Sequence, residues 1–264
     1  MTRRLNWADF RAPEFAAIDP MRTIAILPTA AIEQHGPHLP VGTDTLIAEG
    51  LLDRLRAACP DDLDIRILPV MAVGKSNEHQ WARGTLTLTA ATALAAWTEI
   101  GLSVARAGVR KIVILNSHGG NTDLCSILSR ELRVQAGMLA VKAGWTVTGT
   151  PPGLFSDQEL RFGIHGGDAE TSLILAMYPH TVDMSAARDF RSTAESGPIS
   201  PIGPVSLAWV ASDLNPAGAL GEAHLGTAEK GEALIAHIIS GVIDLLRKVE
   251  GLSLDGYGPA THPA

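Results

Sequence analysis

Two short apolar runs constrain most of what this chain can fold into. Thr23-Ile24-Ala25-Ile26-Leu27 and Lys111-Ile112-Val113-Ile114-Leu115-Asn116 are of β type, and the second is the clearest buried strand in the sequence. Each opens into a stretch that glycine and proline keep out of regular structure. After the first come Gly36, Pro37, Pro40 and Gly42; after the second comes Ser117-His118-Gly119-Gly120-Asn121. A helical pattern follows each stretch: Asp44 to Ala58, with Leu46, Ile47, Leu51, Leu52 and Leu55 on one face, and Thr122 to Gln135. Strand, irregular loop and helix in that order build a parallel sheet, because parallel neighbours need helical crossovers.

The remaining pattern extends this plan. Ile65 to Met71 and Met138 to Ala143 read as further strands, Ala90 to Ala107 as an alanine-rich helix and Asp168 to Met177 as a helix. Glu229 to Val249 closes the chain as a helix with a broad apolar face. Pro151-Pro152-Gly153 starts an irregular region suited to a lid, and Phe190 to Asn215, rich in Ser, Pro and Gly, carries no assignable element. With 264 residues, 46% of them hydrophobic, there is enough apolar material for one substantial core. The expectation is an α/β fold: a single domain over residues 1–264 with a mostly parallel sheet flanked by helices on both faces.

Charge and composition narrow the partners. A net charge of −7 without a basic cluster argues against nucleic acid and anionic membrane surfaces. The stretch from Ala233 to Leu246 is interrupted by His237 and Asp244 and is too short to span a bilayer. The N-terminal residues lack the apolar run of a secretory signal, and Cys59 and Cys125 read as reduced thiols, so a cytoplasmic protein is expected.

The first irregular stretch is dense in metal-ligand chemistry. Glu33, His35, His38 and Asp44 offer oxygen and imidazole donors, and the prolines hold them in a restricted loop, which lowers the ordering entropy that opposes binding. Glu33 and His35 alternate on an extended segment and point the same way. Asp44 also suits a helix start, and His118 follows a strand directly. Both loops leave the C-terminal ends of strands, the edge where ligands bind in open α/β sheets. No cysteine falls in these motifs, so a thiolate zinc site is excluded, and carboxylate with imidazole fits a catalytic Zn²⁺, Mn²⁺ or Fe²⁺. Gly74-Lys75-Ser76 does not make a phosphate loop, since Pro69 stands where that motif needs glycine.

Several segments together resemble the creatininase (creatinine amidohydrolase) family. They are Glu33-Gln34-His35-Gly36-Pro37-His38-Leu39-Pro40 with Thr43-Asp44-Thr45, Asn116 to Asn121, and His165-Gly166-Gly167-Asp168-Ala169-Glu170-Thr171-Ser172. Ser76-Asn77-Glu78-His79 with Gly84 to Leu88, and Gly226 to Gly231, extend the likeness over roughly residues 20 to 245. The resemblance implies two divalent ions per chain, Zn or Mn with Fe as a further option. It implies Glu33 and His118 on one ion, Asp44 bridging, His35 on the other, and His165 near the substrate as the proton-transfer group.

The creatinine-cleaving members carry a carboxylate two residues after the histidine that His118 matches, whereas this chain has Gly120. Glu170 is then the candidate to complete the second ion's donors. Ser76, Gly119 and Gly120 are candidates for substrate binding, and His38, Thr43, Asn116 and Asn121 for supporting hydrogen bonds; the roles of Glu78 and His79 stay open. The activity implied is hydrolysis, by metal-activated water, of a carbon–nitrogen bond in a small-molecule substrate such as a cyclic amide or formamide. Hydrolysis of another bond, in a carbocyclic sugar derivative or by peptide trimming, and a non-catalytic metal-binding maturation protein remain open. The resemblance also implies a homo-oligomer, a hexamer in the family.

Overall fold

A computed structural model of the chain describes residues 3–255, so the outermost residues of the expected 1–264 domain lie outside it. Four strands form the central sheet: β1 (Ile24–Thr29), β2 (Ile65–Ile67), β3 (Lys111–Asn116) and β4 (Leu139–Gly144), in the order β2-β1-β3-β4. All its pairings are parallel, and β1 lies along the whole of β3, from Ile24 opposite Lys111 to Thr29 opposite Asn116. The crossovers use α1 (Thr43–Ala58), α2 (Ala90–Arg106) and α3 (Thr122–Ala136). Local chemistry marks their ends: the Thr89 side chain accepts the N–H of Thr92 at the start of α2, and Gly137 ends α3 in the left-handed region at φ 64°.

Both faces of the sheet are covered, which is why its strands read as continuous apolar runs rather than alternating ones. Ile24, Ile26, Val113 and Leu115 face a cluster containing Leu51 of α1, Leu173 of α5 (Asp168–Met177) and Ile238 of α7 (Ala228–Gly251). Ala25, Leu27, Ile112 and Ile114 face Trp97, Val104, Leu128 and Leu132 of α2 and α3. α5 and α7 approach closely at Gly231, where an added Cβ would stand 2.0 Å from the Ser172 carbonyl oxygen.

One expectation changes, and two regions gain detail. The strand expected over residues 65–71 ends at Ile67: Leu68 still donates to the Ile26 carbonyl at 2.9 Å, but Pro69 has no N–H to give a ladder, and Met71 then rejoins β1, donating to the Pro28 carbonyl at 2.9 Å. The apolar face of α7 packs inside the chain through Leu234, Ile235, Ile238, Val242 and Leu246. The Phe190–Asn215 region holds short elements made by distant partners. β5 (Asp189–Phe190) pairs antiparallel with β6 (Gly221–Glu222), and α6 (Ala211–Leu214) is a single turn. The region after Pro151 leads into another short helix, α4 (Asp157–Phe162), capped by Ser156. Among the described residues no helix is long and apolar enough to cross a membrane.

Candidate metal centre

The connection from β1 leads to one side of the sheet and that from β3 to the other, so their adjacent C-terminal ends bound the crevice where open α/β sheets bind ligands. Glu33 and His35 follow β1, Asp44 lies in the first turn of α1, and His118 follows β3. The first loop folds back on itself, with Glu33 N–H donating to the Val41 carbonyl at 2.8 Å and Gly36 turning at φ 73°. Asn121 ties three loops together: its amide donates to the Ala30 carbonyl at 3.0 Å and accepts from the Lys75 N–H at 3.0 Å. Asn116 accepts the Thr29 hydroxyl at 2.9 Å and donates to the His118 carbonyl, fixing the turn that aims His118.

Asp44 stands between the two sides of the cluster. Its Oδ1 is 3.5 Å from His35 Nε2 and its Oδ2 is 3.1 Å from His118 Nδ1, which also lies 3.2 Å from Glu33 Oε1. Glu170, at the start of α5, brings Oε2 to 3.9 Å from His35 Nε2, and His165 Nδ1 is 3.5 Å from Glu33 Oε1. All six expected residues are therefore brought together, and all but Glu170 are buried.

The donor set fits a divalent cation on two grounds. Glu33 Oε2, His35 Nε2 and Asp44 Oδ2 are buried with no hydrogen-bond partner among the described residues, a condition that costs about 1–3 kcal/mol per group unless something binds it. The tautomers also suit a cation: His35 Nδ1 donates to the Glu33 carbonyl at 3.0 Å and His118 Nε2 to the Lys75 carbonyl at 3.0 Å. Each ring thus aims its other nitrogen at the carboxylates, and that nitrogen becomes bare when a cation displaces its proton.

The electrostatics agree. Against the cost of burial, Asp44 raises His35 to about 10, and Glu33 and Asp44 raise His118 well above its ordinary value. Also against burial, His118 holds Glu33 at about 2, and His35 with His118 holds Asp44 below the usual carboxylate range. Protons balance the carboxylates here, and a bound cation takes over that charge and releases them. Burial, with Asp44 and Glu33 nearby, pushes Glu170 up to about 7, while burial and the neighbouring His35 push His165 well below its ordinary value, so His165 is neutral.

The substrate-binding candidates separate. Gly119 lines a cavity of about 280 Å³ beside His118 and Glu170, walled by Ile47, Trp145, Leu173 and Leu234 among others. Gly120 has no such freedom: a Cβ there would stand 2.1 Å from Glu78 Oε1 and 2.4 Å from His118 Nε2. Ser76 is fully buried with its hydroxyl 3.4 Å from His118 Nε2, a place beside the histidine rather than on the cavity wall. Glu159, a residue without a role in the sequence reading, is buried and accepts the N–H groups of Ala169 at 3.1 Å and Glu222 at 2.8 Å. A Cβ on Gly163, Gly167 or Gly221 would come within 2.2 to 2.6 Å of its carboxyl group, so these glycines leave the room it needs beside His165.

A sequence model described as Creatininase, creatinine amidohydrolase, matches residues 8–246. The chain belongs to the creatininase family. A mycofactocin precursor peptide peptidase of Mycolicibacterium smegmatis (strain ATCC 700084 / mc(2)155) is 28% identical over 230 residues, covering 86% of each chain. A creatinine amidohydrolase of Pseudomonas putida is 29% identical over 261 residues, covering 92% of this chain and 95% of that one. A solved structure described as "Creatininase Mn" superposes with a TM-score of 0.72 at 23% identity, over 95% of this chain and 100% of that one, and shares the fold.

His38 gives this chain a pH-dependent element whose geometry is defined by its neighbours. His38 stacks on Phe190 at 5.3 Å, its Nε2 meets the Thr171 hydroxyl at 3.1 Å and its Nδ1 has no hydrogen-bond partner among the described residues. Burial lowers it from 6.5 to about 4. A histidine with a depressed folded value contributes its full stability above its unfolded value and loses it as pH falls through the folded one. In chelator-treated protein, wild type is expected to lose at most about 3 kcal/mol relative to His38→Gln between pH 6.5 and about 4. Urea unfolding across that window checks this, and a constant difference would overturn it.

Proposed function

We propose that this chain is a metal-dependent hydrolase that opens a carbon–nitrogen bond in a small cyclic amide, formamide or related substrate. The observation that carries the reading is the convergence of unpartnered buried atoms, Glu33 Oε2, His35 Nε2 and Asp44 Oδ2, beside a cavity and a neutral histidine. Glu33, Asp44 and His118 would hold one ion, and His35, Asp44 and Glu170 the other. Bound there, divalent ions supply Lewis acidity and lower the pKa of water from about 15.7 to about 7.

The chain's own residues do the rest. His165 Nε2 donates to the Gln34 carbonyl at 2.6 Å, which leaves Nδ1 bare and facing the cluster. Nδ1 accepts a proton from the attacking water and returns it to the departing nitrogen, so the products are a carboxylic acid and an amine. The apolar wall of Ile47, Leu173 and Leu234 excludes bulk water and strengthens each polar contact inside. Gly119 leaves open space at its α-carbon, so a substrate can come close to its backbone.

Peptide trimming is the second reading, favoured by the peptidase relatives. The test is metal analysis together with a hydrolysis screen over creatinine, hydantoins, lactams, formamides and short peptides. Turnover of a small amide by metal-loaded enzyme is the expected result. Cleavage confined to peptides would replace the substrate class, and bound metal without turnover on any of them would favour a non-catalytic protein.

A further inference from the structure

Gln34 lies between Glu33 and His35, yet its amide reaches other partners. Its Oε1 accepts the Gly36 N–H at 2.9 Å and its Nε2 donates to the Gly218 carbonyl at 2.9 Å. Both are backbone groups of fixed polarity, so the amide can sit only one way round. Its second N–H has two neighbours, His79 Nδ1 at 2.8 Å and His165 Nε2 at 3.2 Å. The His165 nitrogen already donates to the Gln34 carbonyl and has no lone pair to offer, so the amide proton goes to His79 Nδ1. Neutral His79 must then carry its proton on Nε2, and Nε2 faces Glu33 Oε1 at 3.4 Å.

The two stacked imidazoles, 4.3 Å apart, therefore meet the cluster with opposite polarity: His165 presents a bare nitrogen and His79 an N–H. We infer that His79 is a positioning residue, set in one tautomer by Gln34, whose N–H engages Glu33 Oε1 and leaves Glu33 Oε2 for the metal. The inference rests on the reading of Glu33 as a metal donor. It assigns His79 a role different from ligation, although its ring lies close enough to Glu33 and His165 for the three to be a possible ligand group. A ligating Nε2 would need the proton removed and the Gln34 contact reversed.

The decisive measurement titrates metal-stripped protein with Zn²⁺ and follows the imidazole nitrogens by long-range ¹⁵N–¹H correlation, with His79 identified from its missing signals in His79→Gln. His79 is expected to keep its Nε2 proton when zinc is loaded, while His35 and His118 change to bound nitrogens. His79→Phe, which keeps the ring and removes the donor, is expected to weaken zinc binding about 10- to 100-fold, and His79→Gln, which restores an N–H at the same reach, to recover most of that loss. Loss of the His79 Nε2 proton on zinc loading makes it a ligand and overturns the inference, and so does unchanged zinc affinity in His79→Phe. If His79→Phe does not fold, the wild-type spectra decide alone. Failure of wild-type protein to take up zinc overturns the metal reading itself, an outcome distinct from a failure of His79's role.

Discussion

Replacing His165 with alanine is expected to cut turnover about 10²- to 10⁴-fold while leaving metal content unchanged. The ring donates through Nε2 to the Gln34 carbonyl and holds Nδ1 bare toward the cluster, and burial beside His35 keeps it neutral. Such a group is unprotonated and open to a proton from water acidified by bound metal, and it gives that proton back readily in the next step. His165 also sits within ligand range of two groups, with Glu33 and His79 and with His35 and Glu170, so the alternative is concrete. Metal analysis of the purified variant separates them: a His165→Ala protein that loses an ion identifies a ligand.

Asp44→Asn should have the larger effect on metal, because the two Asp44 oxygens face His35 on one side and His118 on the other. An amide there supplies one neutral oxygen where two charged ones stood, and both ions are expected to be lost. Glu170→Gln is narrower. Of the proposed donors, Glu170 reaches toward His35 and not toward His118, so content should fall from about two ions to about one per chain, with Glu33→Gln weakening the other ion. Plasma emission spectrometry on dialysed protein reads both. Two ions and near-normal activity in Glu170→Gln would leave that carboxylate as a helix-terminus residue. Circular dichroism and thermal unfolding are expected to show that the fold survives, since the core faces of the sheet do not involve these side chains.

The parts of this architecture that could be read from sequence are those whose burial is local in pattern. β1 and β3 are covered on both faces, so they appear as unbroken apolar runs, and the donors of Glu33, His35, Asp44 and His118 announce their chemistry by residue type. The strand after Ile67 was over-read because an apolar run continues through Pro69 although its ladder cannot. Residues 190–215 were unreadable for the opposite reason: Ile199, Ile202, Val205 and Leu207 are apolar and exposed, so composition and burial part company. The apolar stripe of α7 was plain, but whether it faced this chain or a second copy depended on α5, which it packs against through Gly231. Gln34 was invisible as a site residue, since the group that fixes its amide, the Gly218 carbonyl, is 184 positions away.

The packing of Glu159 against Gly163, Gly167 and Gly221 bears on how such an enzyme can diversify. A carboxylate that accepts main-chain N–H groups and fills the space of three absent side chains leaves Gly163, Gly167 and Gly221 almost no tolerated variation. New substrate preferences, whether arising by drift or selected in a laboratory, come more readily from the cavity wall, where Thr146 and Thr150 border the cavity without holding the donor cluster together. A mutant library confined to those two positions would sample altered recognition while leaving the reactive residues anchored.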